Sequence, residues 1–344
     1  MWTALAGTVV TLLAVVGATS CADPGAGAGR IGPGVSPSAP GSSRELYRQP
    51  FAWDSPWNLP LATSASYHPF DTRAAEVYMD VEDISVDPSF PVRDLDAAGR
   101  TVPVHTDPRL QADGSYNNCA SFLVDSPDRA TVVQGQPLTL DRGGNPSVEV
   151  AWPEVALSSP GIVGCHGGSA LSGLGGSART GELTAPGPLT HALKIGLNCE
   201  ASCSPVDGGF RWPATKADRN YQDRYGGSDP EVRMGSLMAL PPETDLSRFT
   251  RPDVRKIAMA LRDYGAYVVD STGGPETNSL AVQQGGLDDL PDIGSSEMVA
   301  LFRSLQVVTN NTRATPGGGP LGSPRRAACA GPFADGTGGA PAGC

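Results

Sequence analysis

The sequence predicts a mainly β protein, sandwich- or jelly-roll-like, with one or two peripheral helices. Three observations lead there. Glycine (43) and proline (32) are abundant in the 344 residues, and both oppose helix interiors. Short apolar stretches alternate with Gly/Pro/Asn/Asp punctuation roughly every 8–12 residues, the spacing of strands in sandwiches and barrels. Only two segments carry a helical period.

The expected strands include Ala130-Thr-Val-Val, Ser147-Val-Glu-Val-Ala-Trp152, Leu193-Lys-Ile-Gly-Leu197 and Ala266-Tyr-Val-Val-Asp270. Pro252 to Tyr264 reads as a helix with Val254, Ile257, Leu261 and Tyr264 on one face. Proline starts it and Gly265 stops it. Ser296 to Leu305 reads as the second, with Met298, Leu301, Phe302 and Leu305 together and Ser295 or Ser296 as cap.

Around this body, residues 46–308, the composition changes. Residues 1–20 hold a short apolar run, Leu5 to Ala18, of signal-peptide length rather than membrane-spanning length. It ends Ala18-Thr19-Ser20-Cys21, which resembles a bacterial lipobox with Cys21 as the acylated residue. Residues 21–45 are a Gly/Pro/Ser-rich tether. Residues 309–344 form a Gly/Pro-rich tail, poor in core formers and expected to be disordered unless clipped by a disulfide. The expectation is an extracellular protein, anchored to the outer face of the membrane through Cys21 alone, or secreted.

Beyond Cys21, the cysteines are Cys119, Cys165, Cys199, Cys203, Cys329 and Cys344. An even number in an exported chain implies three disulfides. Cys199 with Cys203 and Cys329 with Cys344 are near enough in sequence to pair locally, which leaves Cys119 with Cys165.

The formal charge of −11 and pI of about 4.8, with no Lys/Arg cluster, exclude binding along a nucleic-acid backbone. No cofactor or metal is expected. Gly173-x-Gly175-x-x-Ala178 fits a dinucleotide fingerprint formally, but the following Arg-Thr-Gly-Glu-Leu-Thr-Ala-Pro cannot open a long helix. His166 and His191 stand apart, with no HxH or HExxH. His166-Gly-Gly-Ser is similar to an esterase oxyanion loop, yet no serine has glycine at both −2 and +2.

Two segments concentrate chemistry. Residues 164–197 combine a Gly-rich backbone with His166, Arg179, Glu182, His191 and Lys194. Such a backbone suits a close-approach surface for a ligand or another strand, and equally a set of bulges and turns. Residues 210–229 interleave Trp212, Tyr221 and Tyr225 with Lys216, Asp218, Asp223 and Arg224. Aromatic faces beside carboxylates and cations fit a sugar cleft. Trp53 and Trp57 read as core plugs, and Tyr264, Tyr267 and Asp270 as structural.

The motifs SPWNLPLA (55–62), HGGSALSGLGGSARTGEL (166–183), HALKIGL (191–197), RWPATKAD (211–218), MGSLMALPP (234–242) and DYGAYVVDST (263–272) occur in this order. Together they resemble a family of secreted bacterial and fungal proteins with no established activity. The resemblance covers about residues 53–275 and implies a secreted β-rich fold; it transfers no catalytic residue. Members often carry glycine where this chain has Ala170, a departure that narrows what the loop admits.

The leading expectation is a carbohydrate-active protein hydrolysing a poly- or oligosaccharide through the carboxylates of Glu182 and Asp218, supported by His191 and His166. Arg179, Lys216, Tyr225, Trp212 and Lys194 are the expected substrate-binding residues. A polysaccharide lyase using Arg179 or Lys216 with Tyr225 or a histidine is the first alternative. A non-catalytic glycan-binding lipoprotein is the second.

Overall fold

The computed structural model describes residues 43–112, 119–274, 276–285 and 295–344. The leader, Cys21 and nearly all of the tether lie outside the described residues. Among those described, no helix is long and apolar enough to cross a membrane.

The fold is mainly β, as the composition and punctuation predict. The strands are β1 (Tyr67–Pro69), β2 (Glu76–Ser85), β3 (Val92–Ala97), β4 (Arg100–His105), β5 (Ala120–Val124), β6 (Thr131–Leu140), β7 (Pro146–Ala151), β8 (Val155–Ala156), β9 (Leu193–Leu197), β10 (Leu237–Ala239), β11 (Ala266–Ser271), β12 (Thr277–Gln283) and β13 (Gln306–Val308). The helices are α1 (Cys199–Ser202), α2 (Tyr221–Arg224), α3 (Pro252–Asp263) and α4 (Ser296–Phe302).

The strands pair in the order β1-β13-β10-β11-β9-β12-β2-β5-β4-β3-β7-β6-β8, and β5 also pairs with β6. That extra pairing joins β5, β4, β3, β7 and β6 into a closed ring, which leaves those strands no free edge. Leu95, Val104, Phe122, Val133, Leu138 and Val148 belong to the separate apolar cluster formed by these strands. β2 connects the two regions. Its residues Glu76 to Glu82 run parallel to β12, and Asp83 to Ser85 pair with β5.

The larger core lies on β9–β13 and the two longer helices. In α3, Val254, Ile257 and Leu261 are buried, Pro252 opens the first turn, and Gly265 takes a positive φ of 78° just beyond the end. In α4, the Ser295 hydroxyl accepts the Met298 amide hydrogen at 3.4 Å, a weak N-cap. Trp57 is a plug, as its place at the edge of the body predicts. Its ring packs edge-on to Tyr267 at 5.5 Å, and Nε1 donates to the Gly161 carbonyl at 2.7 Å. A Cβ on Gly175 or Gly176 would lie 2.5 Å or 2.7 Å from the Trp57 ring, so those glycines serve packing.

All three expected disulfides form: Cys119–Cys165, Cys199–Cys203 and Cys329–Cys344. Residues 309–344 are not a loose tail. Arg325 donates to the carbonyls of Pro60, Pro316, Gly319 and Pro320, and Arg44 to those of Gly331 and Gly338. The Arg44 guanidinium also stacks 4.0 Å over Phe333. Composition missed this because the segment is held by arginine donors reaching backbone carbonyls, not by an apolar stripe.

Candidate functional site

The site is built on one face of the larger sheet. Along β2 the side chains alternate, so Tyr78, Asp80 and Glu82 share a face. Register carries that face across the sheet. Tyr78 lies opposite Ser279 on β12, Ser279 opposite Gly196 on β9, and Gly196 opposite Asp270 on β11. Lys194 is two residues from Gly196 and therefore joins them. The pairing of β11 with β9 shifts between Val268 and Asp270, and this irregularity is what sets Asp270 rather than Val269 opposite Gly196. A bulge of this kind re-aims a side chain.

His166 arrives from the loop after Cys165, whose disulfide to Cys119 ties the loop base to the strand region of β5. Its Nε2 lies 2.9 Å from Glu82 Oε1 and 2.9 Å from Lys194 Nζ. Lys194 is fully buried and also donates to Glu82 Oε1 at 3.1 Å and to the carbonyls of Ser172 and Gly173 at 3.2 Å and 2.8 Å. Two nitrogens 2.9 Å apart cannot both point a proton at each other. Lys194 already has three acceptors in Glu82 and the two carbonyls, and His166 faces Glu82 as well: burial lowers the imidazole, but Glu82 and Asp270 outweigh it and raise it. Burial raises the Glu82 carboxyl, but His166 and Lys194 outweigh it and hold the group below its ordinary value. Burial lowers Lys194.

Three further carboxyl groups stand nearby with weaker cationic support. Asp270, a quarter exposed, sits 3.8 Å from His166 Nδ1, within ion-pair range but too long for a hydrogen bond. Its Oδ1 accepts the Ser271 amide hydrogen at 2.8 Å. Asp80 has no cation within salt-bridge distance among the described residues. Burial, with the charges of Glu82 and Asp270 added, pushes its carboxyl up to about 7.

Asp218 comes from the second segment. Tyr225 donates to Asp218 Oδ2 at 2.7 Å and accepts the Asp218 amide hydrogen at 3.3 Å. Burial, then the charge of Asp270, raises the Asp218 carboxyl. The loop and this segment touch directly, since Thr215 donates its amide hydrogen to the Ser169 carbonyl at 3.1 Å. The two sequence segments richest in polar side chains therefore do meet, at Gly168 and Asp218.

Glu182 and His191 belong to another set. His191 Nε2 lies 3.1 Å from Glu182 Oε1, and Nδ1 bonds the Ala192 carbonyl at 2.8 Å. Glu182 Oε2 accepts the Arg179 amide hydrogen at 2.8 Å, and Lys256 binds the Glu182 carbonyl. Arg179 spends its guanidinium on Gln283 and the Tyr47 carbonyl. Both ring nitrogens of His191 are thus bonded within the protein. The two carboxylates expected to pair have different partners: Glu182 bonds His191 and the Arg179 amide, Asp218 bonds Tyr225. Lys216 is exposed, and its charge lowers the Asp218 carboxyl without forming an ion pair. Trp212 is half-buried, beside an Arg211 tied to Glu231.

Asp80, Glu82 and Asp270 belong to neither of the two segments that concentrate chemistry in the sequence. The alternation Glu76-Val-Tyr-Met-Asp-Val-Glu82 was the available signal for the first two: an edge-to-edge polar face with ionisable groups two apart. Glu82, Cys119 and His166 have atoms close enough to ligate a metal ion. They do not suit one, because Cys119 is committed to a disulfide and Lys194 already lies against Glu82. A scan against protein-family models found no match, and searches of the curated proteins and of the solved structures found none either.

Proposed function

We propose that the Asp80, Asp218 and Asp270 cluster hydrolyses a glycosidic bond in a poly- or oligosaccharide outside the cell. The observation that carries this reading is the grouping of acidic side chains: Glu82, engaged by His166 and Lys194, beside three further carboxyl groups. Glycoside cleavage passes through a transition state with positive, oxocarbenium-like charge. Crowded carboxyl groups repel one another before reaction and are relieved as that charge develops, which is differential stabilisation of the transition state. Acyl transfer and β-elimination develop negative charge instead, and the same groups oppose them. Of the two cations of the lyase alternative, Arg179 is engaged by Gln283 and the Tyr47 carbonyl, which leaves only the exposed Lys216 near Asp218.

Roles follow from environment. Asp80, with its carboxyl near 7, is far more protonated under neutral conditions than an ordinary aspartate and is the general acid that protonates the leaving oxygen. Asp270, partly open beside His166, is the carboxylate that attacks the anomeric carbon or activates water. Asp218, anchored by Tyr225, flanks it. Tyr78, half-buried on the same strand face as Asp80, supplies an aromatic ring. The disulfides accord with an exported protein.

The test is incubation of the protein with a panel of neutral, amino and acidic glycans, with products read by mass. Products carrying one added water, lost in Asp80→Asn and Asp270→Asn, support hydrolysis. Unsaturated ends support the lyase. Tight binding without products supports a glycan-binding protein and removes the catalytic reading.

A further inference from the structure

Gly168 does not have the left-handed backbone that demands glycine. What demands it is space. A Cβ there would lie 3.0 Å from Asp270 Oδ1, 3.2 Å from Asp218 Oδ1 and 2.8 Å from Met234 Cε. At the neighbouring Gly167 the nearest atoms to a Cβ, Asp270 Oδ2 and Gln136 Nε2, are 3.9 Å away, an ordinary contact. Asp270 and Asp218 reach the same Cα from unrelated parts of the chain, one from the irregular stretch of β11 and one from the loop before α2.

We propose that Gly168 is a positioning residue whose missing side chain lets the Asp218 and Asp270 carboxylates close over one Cα, and so sets their separation. Their two Oδ1 atoms, 3.0 Å and 3.2 Å from that Cβ position, are close enough for each charge to oppose ionisation of the other. A methyl at this position drives them apart and weakens their mutual repulsion. The catalytic consequence rests on the hydrolase reading; the separation itself does not.

Several other groups bear on these two carboxyls. Asp218 faces Tyr225, with Arg224 and Lys216 nearby, and Asp270 faces His166, with Asp80 across the sheet. A single titration midpoint would mix all of them. A cycle isolates the pair. The Asp218 carboxyl is titrated by carbon NMR in four proteins: the parent, Asp270→Asn, Gly168→Ala, and Gly168→Ala with Asp270→Asn. In the parent background, Asp270→Asn lowers the Asp218 midpoint, because a like charge is removed. In the Gly168→Ala background the same change lowers it by less than half as much. An equal drop in both backgrounds overturns the proposal. The same cycle is run with Met234→Ala added throughout, which relieves the third contact and keeps the test valid if Gly168→Ala alone does not fold. Gly167→Ala leaves the drop as in the parent. On a cleaved glycan, Gly168→Ala lowers kcat about tenfold with little change in KM. A parent that cleaves no glycan removes the hydrolase reading, while the titration still decides the role of Gly168.

Discussion

Two histidines in this chain each face a glutamate at hydrogen-bond distance, and the two pairs differ in what surrounds them. His191 and Glu182 close on themselves: the second ring nitrogen bonds the Ala192 carbonyl, and Glu182 also takes the Arg179 amide hydrogen. His166 and Glu82 also share the Lys194 charge, but Asp80, Asp218 and Asp270 crowd the same surface. A buried His–Glu pair is therefore not in itself a site. What sets the His166 pair apart is the further carboxyl groups beside it.

The comparison can be broken in four ways. The largest effect is expected on turnover: Asp80→Asn lowers kcat on a cleaved glycan by ~10²–10⁴-fold, measured at fixed pH, without loss of fold. The same variant reports on stability. The Asp80 carboxyl is near 7 when folded against an ordinary 3.8, so over that interval the folded protein binds the proton that the unfolded chain has released. Stability therefore falls as pH rises from about 4 to about 7, and Asp80→Asn flattens that slope in urea melts.

Next comes Lys194→Met, which removes one of the two cationic partners of the buried Glu82 and leaves His166. Removing one partner of a buried ion pair costs about 3–5 kcal/mol, read from denaturant midpoints at pH 7. An unchanged midpoint would mean that Lys194 does not stabilise Glu82.

Glu182→Gln is expected to be milder and of a different kind. It costs about 1–3 kcal/mol through a weakened His191 contact and leaves turnover within a few-fold of the parent. The pH dependence has two sides. Burial lowers His191, but Glu182 raises it more, so its contribution is full below about 6.5 and is lost as pH rises through the higher folded value. Burial raises Glu182, but His191 and the Arg179 amide lower it more, so its share is present above about 4.5 and fades as pH falls. Loss of turnover comparable to that of Asp80→Asn would reinstate Glu182 as a reacting group.

The smallest effect is expected for Lys216→Ala. An exposed cation near Asp218 contributes less than about 1 kcal/mol, and the Asp218 titration should move slightly upward. A large change in substrate binding would show that Lys216 contacts the glycan.

Much of the fold was legible because it depends on local signals. Leu193–Leu197 is a strand with the predicted bounds, Pro252 and Gly265 frame α3, and the cysteines pair as their spacing implies. The packed C-terminal segment was hidden, since arginine-to-carbonyl bonds leave no periodic trace. The site was half legible. His166, Lys194, Asp218 and Tyr225 stood in the two dense segments, and they belong to the cluster. Asp80 and Glu82 lie on a strand whose polar alternation carries no motif, and Asp270 depends on a register irregularity in β11 that composition does not encode. Pairing Glu182 with Asp218 followed from proximity to cations in sequence. The decisive property, which charges already have partners, exists only in three dimensions.

The central claim is that an aspartate at this surface keeps its proton near neutrality. Carboxyl carbon shifts of the aspartates, followed by NMR from acid to alkaline pH, test it directly. The account predicts one carboxyl titrating near 7 that disappears in Asp80→Asn. Complete ionisation of Asp80 by pH ~5, as for an ordinary aspartate, would contradict it.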